Sequence, residues 1–90
     1  LADSILSHHE RWDGNGYPQG LTGKQIPITS RIMAIVDAYD ILTHGRAYRK
    51  PISSAEALEE IRSCSGSQFD PELVEQFISV MEEEVLKQAQ

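Results

Sequence analysis

Three observations predict an all-α fold for this 90-residue sequence. Apolar residues recur at three- and four-residue spacing in four segments, which is the spacing of one face of a helix. No segment alternates apolar and polar residues with a period of two, as a half-buried strand would. Glycine, proline and capping residues separate the four segments. We therefore expect a bundle of about four helices, with a long glycine-rich loop after the first.

Residues 1–9 form the first predicted helix. Its apolar spacing runs through Leu1, Ala2, Ile5, Leu6 and His9. No capping residue precedes Leu1, so we expect the sequence to begin in the middle of a helix. We also expect its apolar face around Ile5 and Leu6 to be exposed, which favours either self-association as a homodimer or mobility of the segment.

Residues 12–24 form the predicted loop. They contain four of the six glycines together with Pro18, and these residue types favour turns over regular elements. Loops of this length within compact domains are more often functional or mobile than neutral connections. Two interpretations of Tyr17 remain open here: a buried tyrosine that anchors the turn, or an aromatic ring that stacks on a nucleobase.

The second predicted helix spans residues 29–43. Thr29 or Ser30 is expected to cap its start, and one apolar stripe is expected to face the core through Ile32, Ile35, Val36, Tyr39 and Leu42.

Two further helices follow Pro51. Ser53 and Glu56 have the spacing of a capping box, which predicts a helix that ends near Ser63. Asp70 followed by Pro71 is typical of an N-cap and a first helical residue. The buried faces of these helices are expected to contain Ala57, Leu58, Ile61, Leu73, Val74, Phe77, Ile78, Met81 and Val85.

Charge and composition exclude several classes of function. The net charge is −6, which argues against non-specific binding of DNA or RNA, and no apolar run approaches the roughly 20 residues of a membrane span. The single Cys64 cannot form an internal disulfide and fits a reducing cytoplasm. Residues 1–50 carry six cations against five acids, whereas residues 51–90 carry two against nine. We therefore look for chemistry in the first fifty residues.

Histidines and aspartates in that half are candidate metal ligands. His8 and His9 are adjacent, so on a helix they suit two ions of a multinuclear site better than one ion, although a helix-terminal pair is also consistent. Asp37 and Asp40 lie in a stripe with Met33 and His44 at spacings of four, three and four. That stripe is either a solvated flank or an inward carboxylate beside a metal, and a carboxylate near the core needs a partner. Such ligands suit iron, manganese or zinc.

A group of cations follows the second predicted helix. Arg46, Arg49 and Lys50 lie within five residues, and arginine is suited to bidentate binding of phosphate. The alternative is a set of solvated cations that compensate the dipole at the end of the helix.

The order of these residues resembles the HD-GYP family. The stretch of residues 8–18, which ends in Gly16-Tyr17-Pro18, is similar to the signature of that family. The similarity continues to about Met81 through residues 20–23, 26–27, 31–32, 37–40, 46–49, 66 and 68–71.

The resemblance implies an all-α, metal-dependent phosphohydrolase that cleaves cyclic di-GMP to the linear dinucleotide and, in some members, to GMP. His8, His9 and Asp37 match ligands of a centre of two or three divalent metals, with iron or manganese expected. Arg46 and Arg49 match the pair that holds the substrate phosphate. Asp40 would lie near the metal-bound hydroxide as the remaining catalytic residue. Gly16, Tyr17 and Pro18 match the motif loop, which in some members also binds GGDEF-type domains.

Two departures from the family pattern affect these expectations. The upstream His-Asp doublet and other ligands do not occur in this sequence, so we expect residues 1–90 to be the C-terminal portion of one domain and inactive alone. Around Arg46, the family tends to have Ser-Asp before and Pro after, whereas this sequence has His44-Gly45 and Ala47.

The leading hypothesis is the output module of a bacterial, cytoplasmic signalling protein that hydrolyses cyclic di-GMP. The first alternative is a catalytically silent module that senses the nucleotide or binds partners. The second is a hydrolase of a different nucleotide.

Overall fold

The computed structural model describes residues 10–17, 19–45 and 47–89, and these residues are helical with irregular connections. They form a short 3₁₀ turn at Gly23–Gln25 and three α-helices: α1 (Ile28–His44), α2 (Ser54–Ser63) and α3 (Pro71–Ala89). An isolated β-bridge joins Ser65 and Phe69. The all-α prediction is confirmed. The first predicted helix, with its apolar face around Ile5 and Leu6, lies outside the described residues.

Helix α1 starts earlier than predicted and without a side-chain cap. Its N-cap is Pro27, which has φ of −54° and ψ of 141° and is therefore extended and not helical. No side chain caps the first turn. The Pro27 carbonyl accepts a hydrogen bond from the Arg31 N–H at 3.1 Å. The prediction of Thr29 or Ser30 as the cap was therefore wrong, since both residues lie within the helix.

The apolar stripe predicted for α1 is only partly in the core. Ile35 and Leu42 are buried, whereas Ile32 and Val36 are 44% and 47% exposed. The reason is that α2 and α3 both pack on the side of α1 that carries Ile35 and Leu42. Ile32 and Val36 project from another side of the same helix, so placing them in the core was wrong.

The three helices enclose one hydrophobic core in which each helix contacts the other two. Tyr39 of α1 packs edge-on against Phe77 of α3, with ring centroids 5.4 Å apart, and its hydroxyl donates to the Ser54 Oγ of α2 at 3.0 Å. The buried faces predicted for α2 and α3 are confirmed except at Val85, which is 47% exposed. The buried core comprises Ile35, Leu42, Ala57, Leu58, Ile61, Phe69, Val74 and Ile78.

Side-chain caps form at the N-termini of α2 and α3, as predicted. The Ser53 side chain accepts from the Glu56 N–H, and the Glu56 side chain returns to the Ser53 backbone. Asp70 Oδ1 accepts from the Glu72 N–H at 2.9 Å, so Asp70 caps α3. Its other oxygen, Oδ2, contacts Arg31 Nη1 at 2.8 Å, which joins the start of α3 to α1.

Within the described ranges, none of the helices combines the length and apolar character required to span a bilayer.

Candidate functional site

The segment that opens the glycine-rich loop is attached to the connection between α2 and α3. The Trp12 N–H donates to the Gln68 carbonyl at 3.2 Å, and the Asp13 N–H donates to the Ser67 carbonyl at 2.8 Å. Further along, the Gly23 N–H donates to the Trp12 carbonyl at 3.0 Å. The start of the loop is therefore bonded to the α2–α3 connection, and the end of the loop is bonded back to its start.

Glu10 holds the loop from inside. This carboxyl group is only 5% exposed, and its two oxygens accept from the backbone N–H groups of Gln19 and Leu21 at 2.6 and 2.9 Å. The sequence analysis did not identify Glu10. The signal that could have found it is an acid directly after a histidine pair and directly before a loop rich in unpaired backbone donors.

A cavity of about 540 Å³ opens between this loop, α1 and α2. Polar side chains from four parts of the chain line it: Tyr17 from the loop, Asp37 from α1, Arg49 from the α1–α2 connection, and Glu60 and Cys64 from the last turn of α2 and the residue after it. Glu10 and Arg11 form part of its wall. This volume is in the usual range of small-molecule sites.

Tyr17 is 63% exposed at the wall of that cavity. The interpretation of Tyr17 as a buried anchor of the turn was therefore wrong. The anchoring groups are polar instead: Asp13 accepts from the Asn15 N–H at 3.0 Å and contacts the Arg11 guanidinium at 3.2 Å. The hydrogen bond from Asn15, followed by that from Arg11, lowers the pKa of the Asp13 carboxyl.

The two aspartates of α1 lie in different environments. Asp37 is half-buried and lines the cavity. Asp40, whose side chain is 70% exposed, contacts His44 Nδ1 at 3.0 Å and does not line the cavity. The polar stripe of α1 is thus divided, with Asp37 at the cavity and the Asp40–His44 pair in solvent.

Arg49 reaches the cavity from irregular backbone instead of a helix end. Helix α1 ends at His44, and Gly45 follows with φ of 77°. A Cβ at Gly45 would lie 2.8 Å from the Arg49 carbonyl oxygen and 2.9 Å from Pro51 Cδ. Glycine therefore lets the chain fold back tightly beside Arg49. The Arg49 side chain is 54% exposed and contacts Glu60 at 3.4 Å.

Several predicted site residues fall outside the described ranges: His8, His9, Pro18 and Arg46. In the part of the chain that the structure describes, no three His, Cys, Asp or Glu side chains are grouped so as to hold a metal ion. Asp37 is the predicted ligand that can be placed, and a half-buried carboxylate at a cavity wall is a suitable donor for iron or manganese. The geometry around Asp37 is therefore compatible with a metal centre completed by other ligands.

Comparison with known proteins gives a consistent result. A family model for the HD domain matches residues 1–73. A cyclic di-GMP phosphodiesterase from Thermotoga maritima is 45% identical over 82 residues, which are 91% of this chain and 22% of the relative. A 3'3'-cGAMP-specific phosphodiesterase 2 from Vibrio cholerae is 46% identical over 69 residues, which are 77% of this chain and 13% of the relative.

A solved structure matches as well. The crystal structure of a cyclic GMP-AMP specific phosphodiesterase in V. cholerae superposes with a TM-score of 0.79 at 37% identity, covering 90% of this chain and 18% of that chain. The chain thus spans between 13% and 22% of the length of these relatives. The matching family model and the relatives confirm the resemblance to HD-GYP proteins. This chain therefore belongs to the HD domain family.

Proposed function

We propose that residues 1–90 are the C-terminal portion of an HD-GYP domain that, when complete, hydrolyses cyclic di-GMP to the linear dinucleotide, with GMP as the product of a second cleavage. The single observation that carries the proposal is the cavity that Tyr17, Asp37 and Arg49 line together. It combines an aromatic ring, a carboxylate and a guanidinium, which are the groups that a nucleobase, a metal and a phosphodiester require. The names of the relatives support the choice of cyclic di-GMP.

Asp37, His8 and His9 would supply some of the ligands of a centre of two or three divalent ions, either iron or manganese. The rest of the domain would supply the other ligands. Carboxylate oxygen and imidazole nitrogen are appropriate ligands for these metals. Such ions supply a water of lowered pKa and neutralise charge on the phosphoryl oxygens. Because these three ligands cannot fill two or three coordination spheres, residues 1–90 alone would be inactive.

The chain's own residues would orient the substrate. Arg49, together with Arg46, would hold the scissile phosphate and stabilise the charge that develops on its oxygens. Glu60 must release Arg49 for this, and their contact at 3.4 Å between half-exposed side chains is weak enough to exchange. Tyr17, with Gly16 and Pro18, would present an aromatic face to a guanine base. Asp40 takes no part in the proposed chemistry, because it pairs with His44 and does not line the cavity.

The decisive experiment measures cyclic di-GMP hydrolysis by the full-length protein loaded with iron or manganese. Arg49→Ala should lower kcat/KM about 100-fold, because one charge-stabilising donor is worth roughly 10²–10³. Arg62→Ala is the matched control, since both side chains are 54% exposed and each contacts a glutamate. It should change kcat/KM less than about 3-fold, as expected for an exposed ion pair. A folded, metal-loaded protein without turnover would refute the enzyme assignment.

A second candidate substrate is 3'3'-cGAMP, because relatives named for it are 46% and 48% identical to this chain. A substrate panel that compares kcat/KM for the two cyclic dinucleotides separates these proposals. Binding of both without turnover would favour the catalytically silent sensing module instead.

The remaining elements of the proposal are a cytoplasmic location, a GGDEF-type partner at the Gly16-Tyr17-Pro18 loop, and a homodimer. Substitution of Tyr17 by Ala tests the second, since it should weaken binding to such a domain in a pull-down with purified components. Sedimentation of the full-length protein tests the third.

A further inference from the structure

Glu10 is a buried ionisable group that the proposed hydrolysis does not use. Its side chain is 5% exposed, and each carboxylate oxygen accepts a hydrogen bond from one backbone N–H, that of Gln19 at 2.6 Å and that of Leu21 at 2.9 Å. Burial of a carboxylate is costly unless its oxygens are bonded. The N–H groups of Gln19 and Leu21 also require an acceptor, because a buried backbone N–H without a partner costs free energy.

The two hydrogen bonds close a ring around the tip of the loop. They attach residues on both sides of Gly20, whose φ of 66° turns the chain between them. At the base of the loop, the Gly23 N–H bonds to the Trp12 carbonyl at 3.0 Å. Tyr17 lies on the segment between Glu10 and Gln19, so its place at the cavity wall depends on both ends of that segment being held.

We infer that Glu10 is a positioning residue: by holding the N–H groups of Gln19 and Leu21, its carboxylate sets Tyr17 at the wall of the cavity and thereby determines how tightly the cyclic dinucleotide binds. This inference rests on the proposed function. It goes beyond it by assigning a role to a residue that the proposed hydrolysis does not use.

The competing role for Glu10 is that of a metal ligand, because it follows His8 and His9 directly in the sequence. The observed contacts of both Glu10 oxygens are with backbone donors of the loop, which is the arrangement that the positioning role requires. The two roles also differ in their effect. A positioning residue alters KM through Tyr17 and leaves the metal content unchanged, whereas a ligand alters the metal content and kcat.

The test uses Glu10→Gln in the full-length, metal-loaded protein, with Glu83→Gln as the control. Glu83 is an exposed acid of α3 that is remote in sequence from the loop and does not line the cavity, and its replacement makes the same change in charge. Glutamine keeps the length of the side chain but only one of its two acceptor atoms. Four quantities are measured: hydrogen exchange in the peptide of residues 17–23, metal content, KM and kcat.

We expect Glu10→Gln to increase the exchange rate of one of the two amides roughly 10- to 100-fold, as loss of a hydrogen bond to a charged group implies. KM should increase about 10-fold while kcat changes less than about 3-fold. In a Tyr17→Ala background the same substitution should change KM less than about 2-fold, because residues that act as a unit are not additive. Glu83→Gln should leave all four quantities unchanged.

Unchanged exchange in residues 17–23 overturns the inference, and so does an equal effect of Glu10→Gln on KM with and without Tyr17. Loss of metal with unaltered exchange assigns Glu10 to the metal centre and also overturns it. Should Glu10→Gln fail to fold, Glu10→Asp is used; it retains the charge but is one methylene shorter, and it should raise exchange and KM in the same direction. Failure of the proposed function itself shows as absent turnover in the unmodified protein, and the exchange measurement then still decides the role of Glu10.

Discussion

The buried ion pair between Arg31 and Asp70 should contribute more to stability than any exposed ion pair described for this chain. Its atoms are 2.8 Å apart, and the two side chains are only 12% and 3% exposed. Removing one partner from a buried pair costs about 3–5 kcal/mol, because the other charge stays buried without compensation. Asp70 also caps α3, and loss of a cap costs about 1 kcal/mol. We expect Asp70→Ala to destabilise the protein by about 4 kcal/mol.

Two related variants separate the charge from the cap. Asp70→Asn keeps an oxygen for the N–H of Glu72 and should therefore cost about 1 kcal/mol less than Asp70→Ala, which is the contribution of the cap. Arg31→Met should cost about 3 kcal/mol because it leaves the Asp70 charge unpaired. The double variant Arg31→Met/Asp70→Asn should be more stable than the sum of the single variants predicts, since it removes that charge.

The assay is equilibrium unfolding in urea, followed by circular dichroism, with the free energy of unfolding and its slope compared between variants. Glu59→Gln is the control, because it removes an exposed pair with Arg62 whose side chains are 71% and 54% exposed. That change should cost less than about 0.5 kcal/mol. If Asp70→Ala and Glu59→Gln destabilise equally, the reasoning from burial is refuted.

Two further predictions concern the loops. In an NMR titration, the Asp13 carboxyl should titrate below its usual pKa of 3.8, because the Asn15 N–H and then Arg11 lower that pKa. The contribution of Asp13 to stability is present above pH 3.8 and is lost as the pH falls through the lowered pKa of the folded state. Titration at or above 3.8 would contradict this prediction. Gly45→Ala should destabilise by about 3 kcal/mol because a Cβ there meets backbone at 2.8 Å, while Gly66→Ala, with a similar φ and nothing within 4 Å, should cost only about 1 kcal/mol. Equal costs in chemical denaturation would show that crowding at Gly45 is relieved without penalty.

Features that depend on neighbours in sequence were predicted well. The capping box of Ser53 and Glu56 and the cap at Asp70 both appear in the structure. Each involves residues two or three positions apart, so the interaction can be predicted from the local sequence. The resemblance to HD-GYP proteins has the same origin, since the signature at residues 8–18 is contiguous.

Features that depend on which elements meet were predicted less well. The spacing of α1 identified a helix but could not say which side of it α2 and α3 would cover, so Ile32 and Val36 were assigned to the core and are exposed. The helix also starts at Ile28 after Pro27, because the preceding chain enters in an extended conformation that no local capping pattern indicates.

For the candidate site, the sequence by itself determined the residue types: aspartates on one helix, arginines after it, and an aromatic in a glycine-rich loop. The tertiary structure alone decided that Asp37 faces the cavity while Asp40 pairs with His44 in solvent. It also decided that Glu10 closes the loop through the N–H groups of Gln19 and Leu21. The physical reason is that burial and hydrogen-bond partners nine or more residues away exist only once the chain has folded, whereas helix period and capping act within a few residues.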